Sequence, residues 1–437
     1  MKISFITLFP ELYQPFLATS LLKRAQDKDL ISFALYNLMD YADAGKRVDA
    51  PAYGPGSGMV LKPSVVERAF KDVYNCQDEK PYTIFFSPQG ERVTQYTVKR
   101  LADLFQAKRT LVFCAGRYEG FDERTETYYA DEVLSMGDYV VMGGDVPAMM
   151  LVEALMRYIP GVVGKSDSVD NDTFSGPFFD YPTYAEQVEW HGMRVPDIVR
   201  SGNHHLVDEW RKKQAIKKTV MYRFDWIRAH QLTQTDASAV SDVIPHHYIA
   251  LCHTDVLVGK EKREGTTSVT SLDIHDIARS ACTYGVRHFF IVTPLKDQQQ
   301  VVNTLLAFWK EGIGETYNYH RYQALRTVTL LNSIDDVIER IRADEQKDPL
   351  VIATSAQQQN NNEKQIGYNN QGIVWRQQRP VLMLLGTGQG LSNERIDKCD
   401  YILDPVVGMS EFNHLSVRSA AAIILDRWLG LYGFYKK

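Results

Sequence analysis

Short apolar runs alternate along the chain with longer segments in which apolar residues recur at helical spacing. This alternation is typical of βαβ units built around a mostly parallel sheet. The strands predicted in the first half are Ile3–Leu8, Tyr82–Phe86, Thr110–Cys114 and Asp138–Met142. The strands predicted in the second half are Tyr248–Cys252, His288–Thr293, Leu350–Thr354, Val381–Gly386 and Tyr401–Leu403. Both halves are therefore predicted to have an α/β fold.

Between the two halves, from about Phe178 to Gln231, the strand pattern gives way to a helical one. Its apolar anchors are Trp210, Ile216, Val220 and Ile227. The segment also carries a dense run of cations, namely Arg211, Lys212, Lys213, Lys217, Lys218, Arg223 and Arg228. Two interpretations stay open at this point, a solvated helix face and a surface that follows RNA phosphates.

Polar segments suggest where the chain divides. Thr233 to Val243 is polar and rich in small residues, and Pro245 follows it, so a linker is predicted near residue 240. Gln357–Asn362 has no apolar face to bury and is predicted to form a mobile surface insertion.

Composition limits the class of protein. The 437 residues are 44% hydrophobic and 24% charged, which indicates a globular chain of two to four domains. No apolar run is long enough for a membrane span and no signal peptide opens the chain, so a cytoplasmic location is expected. The five cysteines form no CxxC pair, which predicts free thiols and no structural metal. With a net charge of −5, any contact with nucleic acid must come from local basic patches.

Several motifs imitate known ligand-binding sequences. Neither Gly54–Gly58 nor Gly386–Gly390 spells GxGxxG, so neither predicts a dinucleotide turn. Gly164-Lys165-Ser166 resembles the end of a phosphate-binding loop, but Ile159 stands where the first glycine is required. The adjacent pair His246-His247 would point to opposite faces of a strand, so a structural role is predicted for it.

Three glycine-bearing segments of the first half carry the stronger signal. They are Ser87–Gly90, Cys114–Gly120 and Met136–Pro147, and each adjoins a predicted strand. Loops at the carboxyl ends of parallel strands form the ligand crevice of an open α/β sheet, and glycine lets a ligand approach their backbone. The three segments together predict one backbone-lined pocket.

In these motifs the sequence closely resembles bacterial tRNA (guanine-N1)-methyltransferase, a family that methylates guanosine 37 beside the anticodon. The resemblance covers about residues 1–235 and rests on ITLFPE (Ile6–Glu11), YGPGSGM (Tyr53–Met59), FSPQG (Phe86–Gly90), CAGRYEGFDER (Cys114–Arg124), GDYVVMGGDVPA (Gly137–Ala148), RYIPGVVG (Arg157–Gly164) and SGNH (Ser201–His204). It implies a SPOUT-class α/β fold with a trefoil knot, which is an exception to the rule that chains are not threaded. It also implies a homodimer with the active site at the subunit interface, and magnesium dependence.

S-adenosylmethionine (SAM) is the cofactor that the resemblance implies, bound in the knot. By motif correspondence its contacts would be Phe85, Ser87, Pro88, Gly90, Gly116, Tyr118, Glu119, Gly120, Met136, Gly137, Tyr139, Val141, Gly143, Gly144 and Pro147. The helical segment would dock tRNA, and the contacts that the resemblance implies there are Ser201, Asn203, His204, Arg211, Lys212 and Lys217.

Methylation of guanine N1 requires a base that removes its proton and a cation or donor that stabilises charge on O6. By correspondence with the family, Asp172 is the general base and Arg157 the charge stabiliser. Asp167 and Asp170 are the alternatives to Asp172 if the register of this loop differs. Structural roles are the competing interpretation, with Asp172 as a helix cap and Arg157 as a surface residue.

The second half resembles the knotted end of SPOUT RNA methyltransferases through GTGQGL (Gly386–Leu391), YILDPVVG (Tyr401–Gly408) and NHLSVRSA (Asn413–Ala420). The candidate SAM contacts that this resemblance implies are Thr354, Leu385, Gly386, Gly388, Leu403, Gly408, Leu415, Ser416 and Ala420. Catalytic candidates stay open among Arg263, Arg287, Asn393, Asn413 and Arg418. A second methyltransferase, an inactive RNA-binding platform and a dimerisation module all remain possible interpretations.

The predicted organisation is a SPOUT methyltransferase domain at 1–165, a flexible segment plus helical tRNA-binding domain at 166–235, a linker at 236–245 and a second SPOUT-like domain at 246–437. For the whole chain, the competing class is an RNA-binding protein whose knotted domains transfer no methyl group.

Overall fold

The apolar runs of the first half form a five-stranded parallel sheet in the order β2-β1-β6-β5-β7. Its strands are β1 (Lys2–Thr7), β2 (Ser32–Asn37), β5 (Tyr82–Arg92), β6 (Thr110–Cys114) and β7 (Glu132–Ser135), and β3 (Asp49–Pro51) and β4 (Met59–Leu61) form a separate hairpin. The computed structural model describes residues 1–55, 58–76, 80–163, 172–357 and 363–431. The chain divides into two units, Met1–Ser175 and Gly176–Lys437.

Helices cover both faces of the first sheet. They are α1 (Tyr13–Leu17), α2 (Ser20–Asp27), α3 (Pro63–Asn75), α4 (Gln95–Lys108), α5 (Glu123–Tyr129) and α6 (Asp145–Met156). One core packs α4 and α6 against the sheet, and the other packs α3 against its opposite face. The inner strands β1 and β6 are mostly buried because helices cover both faces, which is the usual condition of a parallel sheet, whereas the edge strand β2 has no buried residue.

The strand predicted at Asp138–Met142 is wrong, and the edge strand is β7 instead. Ser135 ends β7, because its hydroxyl donates to Gly137 O at 3.0 Å and Gly137 has a φ of +154°. The apolar residues that follow remain at the surface, and Val140 and Met142 are 81% and 89% exposed. An apolar run alone does not distinguish a buried strand from an exposed loop.

The second unit contains a seven-stranded parallel sheet in the order β14-β13-β10-β17-β15-β18-β16. Its strands are β10 (His247–Cys252), β13 (His288–Val292), β14 (Val328–Leu331), β15 (Leu350–Thr354), β16 (Gln365–Ile366), β17 (Val381–Gly386) and β18 (Tyr401–Leu403). The pairs β8 (Glu189–Trp190) with β9 (Met193–Arg194), and β11 (Val256–Val258) with β12 (Arg263–Gly265), are short hairpins. The five strands predicted here are confirmed to within one residue at each end.

The helices of the second unit are α7 (His204–Tyr222), α8 (Phe224–Arg228), α9 (Gln234–Ser241), α10 (Ser271–Thr283), α11 (Lys296–Lys310), α12 (Gly314–Tyr317), α13 (Tyr319–Arg326), α14 (Ile334–Glu345), α15 (Gln371–Trp375), α16 (Asn393–Asp397) and α17 (Val417–Leu429). None of the helices in the described ranges is long and apolar enough to cross a membrane. All five cysteines are unpaired, as predicted.

The helical segment shares its core with the second sheet. Ile216, Val220 and Phe224 belong to the same buried cluster as Ile249 of β10, and the Phe224 and Trp375 rings lie 4.8 Å apart. The structural division therefore falls at residue 175 and not near residue 240. Most of the predicted linker is α9, because the Thr233 side chain accepts from the backbone N–H of Asp236 and caps the helix. Residues 358–362 of the predicted insertion lie outside the described residues.

His247 joins three elements inside this core. Its Nδ1 contacts Pro245 O at 2.6 Å, and its Nε2 accepts from the indole Nε1 of Trp375 at 3.2 Å and of Trp428 at 3.0 Å. Because Nε2 accepts both bonds, the imidazole must be neutral. The structural role predicted for this residue is confirmed. Burial lowers the pKa of His247 to about 4.

The pH dependence of stability follows from this arrangement. The unfolded chain binds a proton at His247 below about pH 6.5, whereas the folded chain does so only near pH 4. This contribution to stability is therefore complete above pH 6.5 and is lost as the pH falls toward 4. We expect the free energy of unfolding of the second unit to be about 2 kcal/mol lower at pH 5 than at pH 7.5. Urea denaturation followed by tryptophan fluorescence measures it.

The control for this prediction is His247→Gln, whose side-chain oxygen can still accept from the indoles but does not titrate. It should show a smaller pH dependence than the wild type, although burial also lowers the pKa of His253 and His288 to about 4 and these residues add to the slope. An equal pH dependence in the two proteins would contradict the role assigned to His247.

Candidate active site

The three glycine-bearing loops of the first unit meet at the carboxyl ends of β5, β6 and β7. Gly144 N donates to Gly116 O at 2.8 Å, and Arg117 and Gly143 form an isolated antiparallel bridge. Gly120 N in turn donates to Arg117 O at 3.0 Å. The structure thus joins the Cys114–Gly120 and Met136–Pro147 loops through their backbones.

The third loop is a bulge in β5. Phe86 and Glu91 both pair with Leu134 of β7, so the residues between them leave the sheet. The backbone of Gly90 packs so tightly on β7 that a Cβ there would lie 2.7 Å from Leu134 N. A Cβ on Gly144 would likewise lie 2.9 Å from Ala115 Cα. Glycine is required at both positions because neighbouring backbones approach each other there.

Space for a ligand remains beside these loops. Gly120 has a φ of +102°, and a Cβ there would meet no atom within 4 Å. Tyr118 is also left-handed, with a φ of 60°, and its side chain is exposed. The open space beside these two residues can take a flat ligand such as the adenosine part of SAM, although both main-chain polar groups of Gly120 are already bonded, to Arg117 O and Leu61 N.

A buried carboxylate locks the loops to the sheet. Asp145 is fully buried and accepts from Thr7 Oγ1 at 2.6 Å, Tyr13 OH at 3.1 Å and Arg117 Nε at 2.8 Å. Burial raises the pKa of Tyr13 far above its usual value, and the neighbouring Asp145 raises it further. The Arg117 guanidinium also lies over the Phe9 ring, 4.7 Å from its centroid. One side chain therefore fixes the relative positions of β1, α1 and two cofactor loops.

Helix α6 connects this lock to the predicted catalytic pair. Asp145 is its first residue, and Arg157 follows its last residue as the C-cap. The guanidinium of Arg157 forms an ion pair with Asp172, and both side chains are partly exposed. The structure brings together the two residues that the sequence predicted for proton removal and charge stabilisation. Asp167 and Asp170 lie outside the described residues.

The second unit contains a cavity of about 620 Å³ at the carboxyl ends of its strands. Seven of the nine predicted contacts line it, namely Thr354, Leu385, Gly386, Gly388, Leu415, Ser416 and Ala420. The other two do not, because Leu403 is buried within β18 and Gly408 lies in an exposed loop. A Cβ on Gly386 would lie 2.5 Å from Leu391 N, so the glycine loop folds back closely on itself.

Comparison with known proteins gives the family. Residues 1–229 match the family described as tRNA (Guanine-1)-methyltransferase TrmD. A protein of Nitratidesulfovibrio vulgaris named tRNA (guanine-N(1)-)-methyltransferase is 37% identical over 438 residues, which cover 98% of this chain and 99% of that protein. The chain belongs to the tRNA (guanine-N1)-methyltransferase family.

The second half has its own match. Residues 246–430 match the family described as SAM-dependent RNA methyltransferase. A relative from Oleidesulfovibrio alaskensis with the same protein name is 36% identical over 98% of this chain and 99% of its own length. The Bacillus subtilis protein of that name is 39% identical over 243 residues, which are 55% of this chain and 98% of the relative. The alignment therefore spans nearly all of that relative but little more than half of this chain.

Of the residues that the resemblance assigned to tRNA binding, some make contacts within the fold and others are exposed. Asn203 caps α7 by accepting from Leu206 N at 3.3 Å, and Ser201 accepts from Asn203 N at 3.2 Å. Lys212 forms an ion pair with Asp236 at 2.7 Å. Arg211 lies over the Tyr181 ring, 4.6 Å from its centroid. His204 and Lys217 are exposed.

Arg228 corrects the predicted basic run. It is 5% exposed and donates to Arg427 O at 2.6 Å and Asp426 O at 2.9 Å. Cations are favoured at helix C-termini, where the last carbonyls have no intrahelical partner, and these two carbonyls lie near the end of α17. Arg228 therefore stabilises the fold and is removed from the candidate RNA surface.

Sequence reasoning did not select Asp145 or His253 as site residues. Asp145 begins the mostly apolar helix α6, and a carboxylate at its N-terminus was the signal available. His253 directly follows the predicted strand Tyr248–Cys252, at the carboxyl end where the ligand crevice forms, and it lines the second cavity.

Of the catalytic candidates in the second half, Asn393 and Asn413 line the cavity. Arg263, Arg287 and Arg418 instead form ion pairs with Glu261, Glu345 and Asp273, respectively.

Removing the buried charge tests the lock on the loops. Asp145→Asn keeps the size of the side chain but leaves Arg117 without its anion, so we expect a loss of about 3 kcal/mol in the free energy of unfolding. SAM affinity at the first site should fall as the loops separate. Urea denaturation and titration calorimetry measure the two effects. The matched control is Asp138→Asn in the same segment, whose carboxylate is exposed and 3.5 Å from Arg92. That variant should change stability by less than about 1 kcal/mol, and equal effects in both variants would contradict the lock.

Proposed function

We propose that the chain is a SAM-dependent methyltransferase that methylates N1 of guanosine 37, next to the anticodon of tRNA. Membership of the tRNA (guanine-N1)-methyltransferase family supports the reaction. The observation that carries the proposal is the contact between Arg157 and Asp172 at the end of α6. A carboxylate beside a guanidinium supports the proposal, because methylation at guanine N1 requires a base and a cation or donor.

The two side chains take different parts of the reaction. Asp172 accepts the proton of guanine N1, so that the nitrogen lone pair becomes available for bonding. Arg157 donates hydrogen bonds to O6, where negative charge accumulates as the proton leaves. SAM, when bound, would supply the methyl group for N1, and the leaving group would be its sulfur as the neutral thioether of S-adenosylhomocysteine. Guanine displaces the Arg157–Asp172 ion pair by offering both residues new partners.

The cofactor contacts proposed for the first site are those that the motif correspondence gave. Asp145 and the backbone bridge between Arg117 and Gly143 support them by holding two of the loops together. We also propose the SPOUT trefoil knot for this region, formed where these loops pass one another. The magnesium dependence implied by the resemblance stays a prediction; among the described residues no group of three His, Cys, Asp or Glu side chains is arranged to hold a metal ion.

A homodimer with the active site at its interface is supported by an exposed apolar patch beside the predicted site. The patch comprises Tyr139, Val140, Val141, Met142, Val146 and Met150, each more than 40% exposed. Contiguous apolar side chains of this kind usually mark an interaction surface. The patch adjoins cofactor residues Gly143 and Pro147, so a second copy bound there would lie next to the SAM site.

The exposed face of α7 is the proposed tRNA surface. Lys213 and Lys217 are exposed and, among the described residues, form no ion pair with a carboxylate. Lysines without a carboxylate partner can neutralise RNA phosphates. The RNA then releases its bound counterions, which is a main source of affinity for RNA. The capping bonds of Ser201 and Asn203 support the start of this helix.

For the second unit we propose a further SAM-binding site in the 620 Å³ cavity. The match of residues 246–430 to a SAM-dependent RNA methyltransferase family supports this assignment. The charged side chains that line the cavity include Asp404, whose negative charge suits a cationic cofactor, whereas the charge of Asp273 is compensated by Arg418. Methyl-transfer experiments identify the target RNA. They also distinguish catalysis from an RNA-binding or dimerisation role.

The catalytic assignment is tested by methyl transfer from labelled SAM to an unmodified tRNA with guanosine at positions 36 and 37. Digestion to nucleosides identifies the product as 1-methylguanosine. We expect Asp172→Asn and Arg157→Ala each to lower the rate at least about 100-fold while SAM binding remains. Asp170→Asn is the matched control and should retain activity. Loss of activity in Asp170→Asn with full activity in Asp172→Asn would move the base to the neighbouring aspartate.

The dimer proposal is tested by placing a charge in the exposed patch. Met150→Glu should shift the protein to a monomer in sedimentation and abolish 1-methylguanosine formation, because a carboxylate in an apolar interface is desolvated without a partner. Leu21→Glu, on exposed α2 outside the patch, should leave both the oligomeric state and the activity unchanged. A wild type that is monomeric and active would overturn the proposed interface.

A further inference from the structure

The cavity of the second unit has two sides that differ in chemistry. One side consists of the loops after β15, β17 and β18, which carry the predicted SAM contacts. The other side consists of residues after β10, including His253, Lys262, Thr267 and Ser268. These β10-side residues are not among the predicted cofactor contacts, so a ligand other than SAM can use them.

The hydrogen bonds on this side fix the tautomer of His253. Thr387 Oγ1 donates its proton to Cys252 O at 2.8 Å, so it can only accept from Thr267 Oγ1, with which it is paired. Thr267 Oγ1 therefore donates its only proton to Thr387 Oγ1. It must then accept a hydrogen bond from His253 Nδ1, which lies 2.9 Å away. Nδ1 therefore carries a proton. Burial lowers the pKa of His253 to about 4, which keeps the ring neutral at physiological pH.

A neutral ring with its proton on Nδ1 has a bare lone pair on Nε2. His253 is 1% exposed, and its Nε2 has no hydrogen-bond partner among the described residues. A buried acceptor without a donor costs free energy, and such groups are usually completed by a ligand or by water. The companion residue Thr267 holds the ring in place, since its N–H also donates to His253 O at 2.9 Å.

We infer that the β10 side of this cavity receives the methyl-accepting group of an RNA nucleotide, with His253 Nε2 accepting a hydrogen bond from the O–H or N–H of that group. This inference rests on the proposed SAM site in the same cavity. The exposed Lys262 on the same side provides a cation for the phosphate of the nucleotide. The hydrogen bond to Nε2 orients the lone pair of the nucleophile toward the methyl donor, and the proton of the O–H or N–H passes to Nε2 as the bond to the methyl carbon forms.

The test uses the full chain with Asp172→Asn, so that methylation by the first site is suppressed. His253→Asn is the informative variant, because its amide N–H can still donate to Thr267 while the acceptor at the Nε2 position is removed. His253→Gln places an amide oxygen near the Nε2 position and is the conservative variant. His320→Asn, at an exposed histidine on α13, is the matched control. The measurements are SAM stoichiometry and affinity by calorimetry, the thermal unfolding midpoint, and methyl transfer from labelled SAM to total RNA from cells depleted of this protein.

The inference predicts two SAM equivalents per chain in every variant, with unchanged affinities and unfolding midpoints. Methyl transfer should fall at least about tenfold in His253→Asn and recover in part in His253→Gln. Equal transfer in His253→Asn and His320→Asn would overturn the inference. Weaker SAM binding at one site in His253→Asn would also overturn it, because the donor would then belong to the cofactor. So would an absence of any transfer by the Asp172→Asn background with two SAM molecules bound.

Failure of the proposed second SAM site has a different signature. A chain that binds one SAM equivalent, with that binding lost when the first-site loops are disrupted by Asp145→Asn, would remove the second cofactor site and the inference together.

Discussion

A carboxylate that is cut off from water must be surrounded by donors, and in the first unit this requirement determines the geometry of the site. Asp145 has three of them, one each from Thr7, Tyr13 and Arg117. Thr7 ends strand β1, and Arg117 lies in the loop after β6, the central strand of the sheet. Because an unpaired buried charge costs several kcal/mol, none of the three donors can move away independently. The N-terminus of α6 adds a favourable dipole to the same charge.

Helix α6 connects the fixed position of Asp145 to Arg157 of the proposed catalytic pair. Asp145 and Arg157 stand at opposite ends of a helix of 12 residues whose middle is packed into the core. A rigid element of this kind sets the position of Arg157 relative to the cofactor loops. Asp172 is joined to this fixed part of the site through its ion pair with Arg157. A partly exposed ion pair at the end of a rigid helix suits the proposed exchange of partners when guanine binds.

In the second unit, two buried histidines show how the surroundings decide the use of the same side chain. The Nδ1 atoms of His247 and His253 each contact an oxygen, and burial keeps both rings neutral. The Nε2 of His247 accepts from two indoles and is therefore fully used in the core. The Nε2 of His253 lacks a described partner. The two rings differ in their neighbours. Tryptophans of two helices contact His247, whereas His253 lines the cavity.

The sequence predicted the strands well where burial on both faces makes them continuously apolar, as in Thr110–Cys114 and Val381–Gly386. It failed at Asp138–Met142, because an exposed apolar loop has the same composition as a strand. The motif correspondence identified Arg157 and Asp172, which the structure pairs, whereas Asp145 was missed because its partners come from distant parts of the chain. Arg228 could not be separated from its cationic neighbours, since only the fold shows that it meets the carbonyls of residues 426 and 427.

The packing of α7 connects the proposed RNA surface to the second sheet. Its apolar face lies in the cluster that contains Ile249 and Trp375, and a Cβ on Gly372 would lie 2.4 Å from Met221 O. The helix that presents Lys213 and Lys217 is therefore stabilised by residues of the second sheet and of the helices packed on it. A destabilised second sheet would loosen this helix even if the second cavity transferred no methyl group. The second sheet thus supports the proposed tRNA surface through the stability of α7, independently of any chemistry in the second cavity.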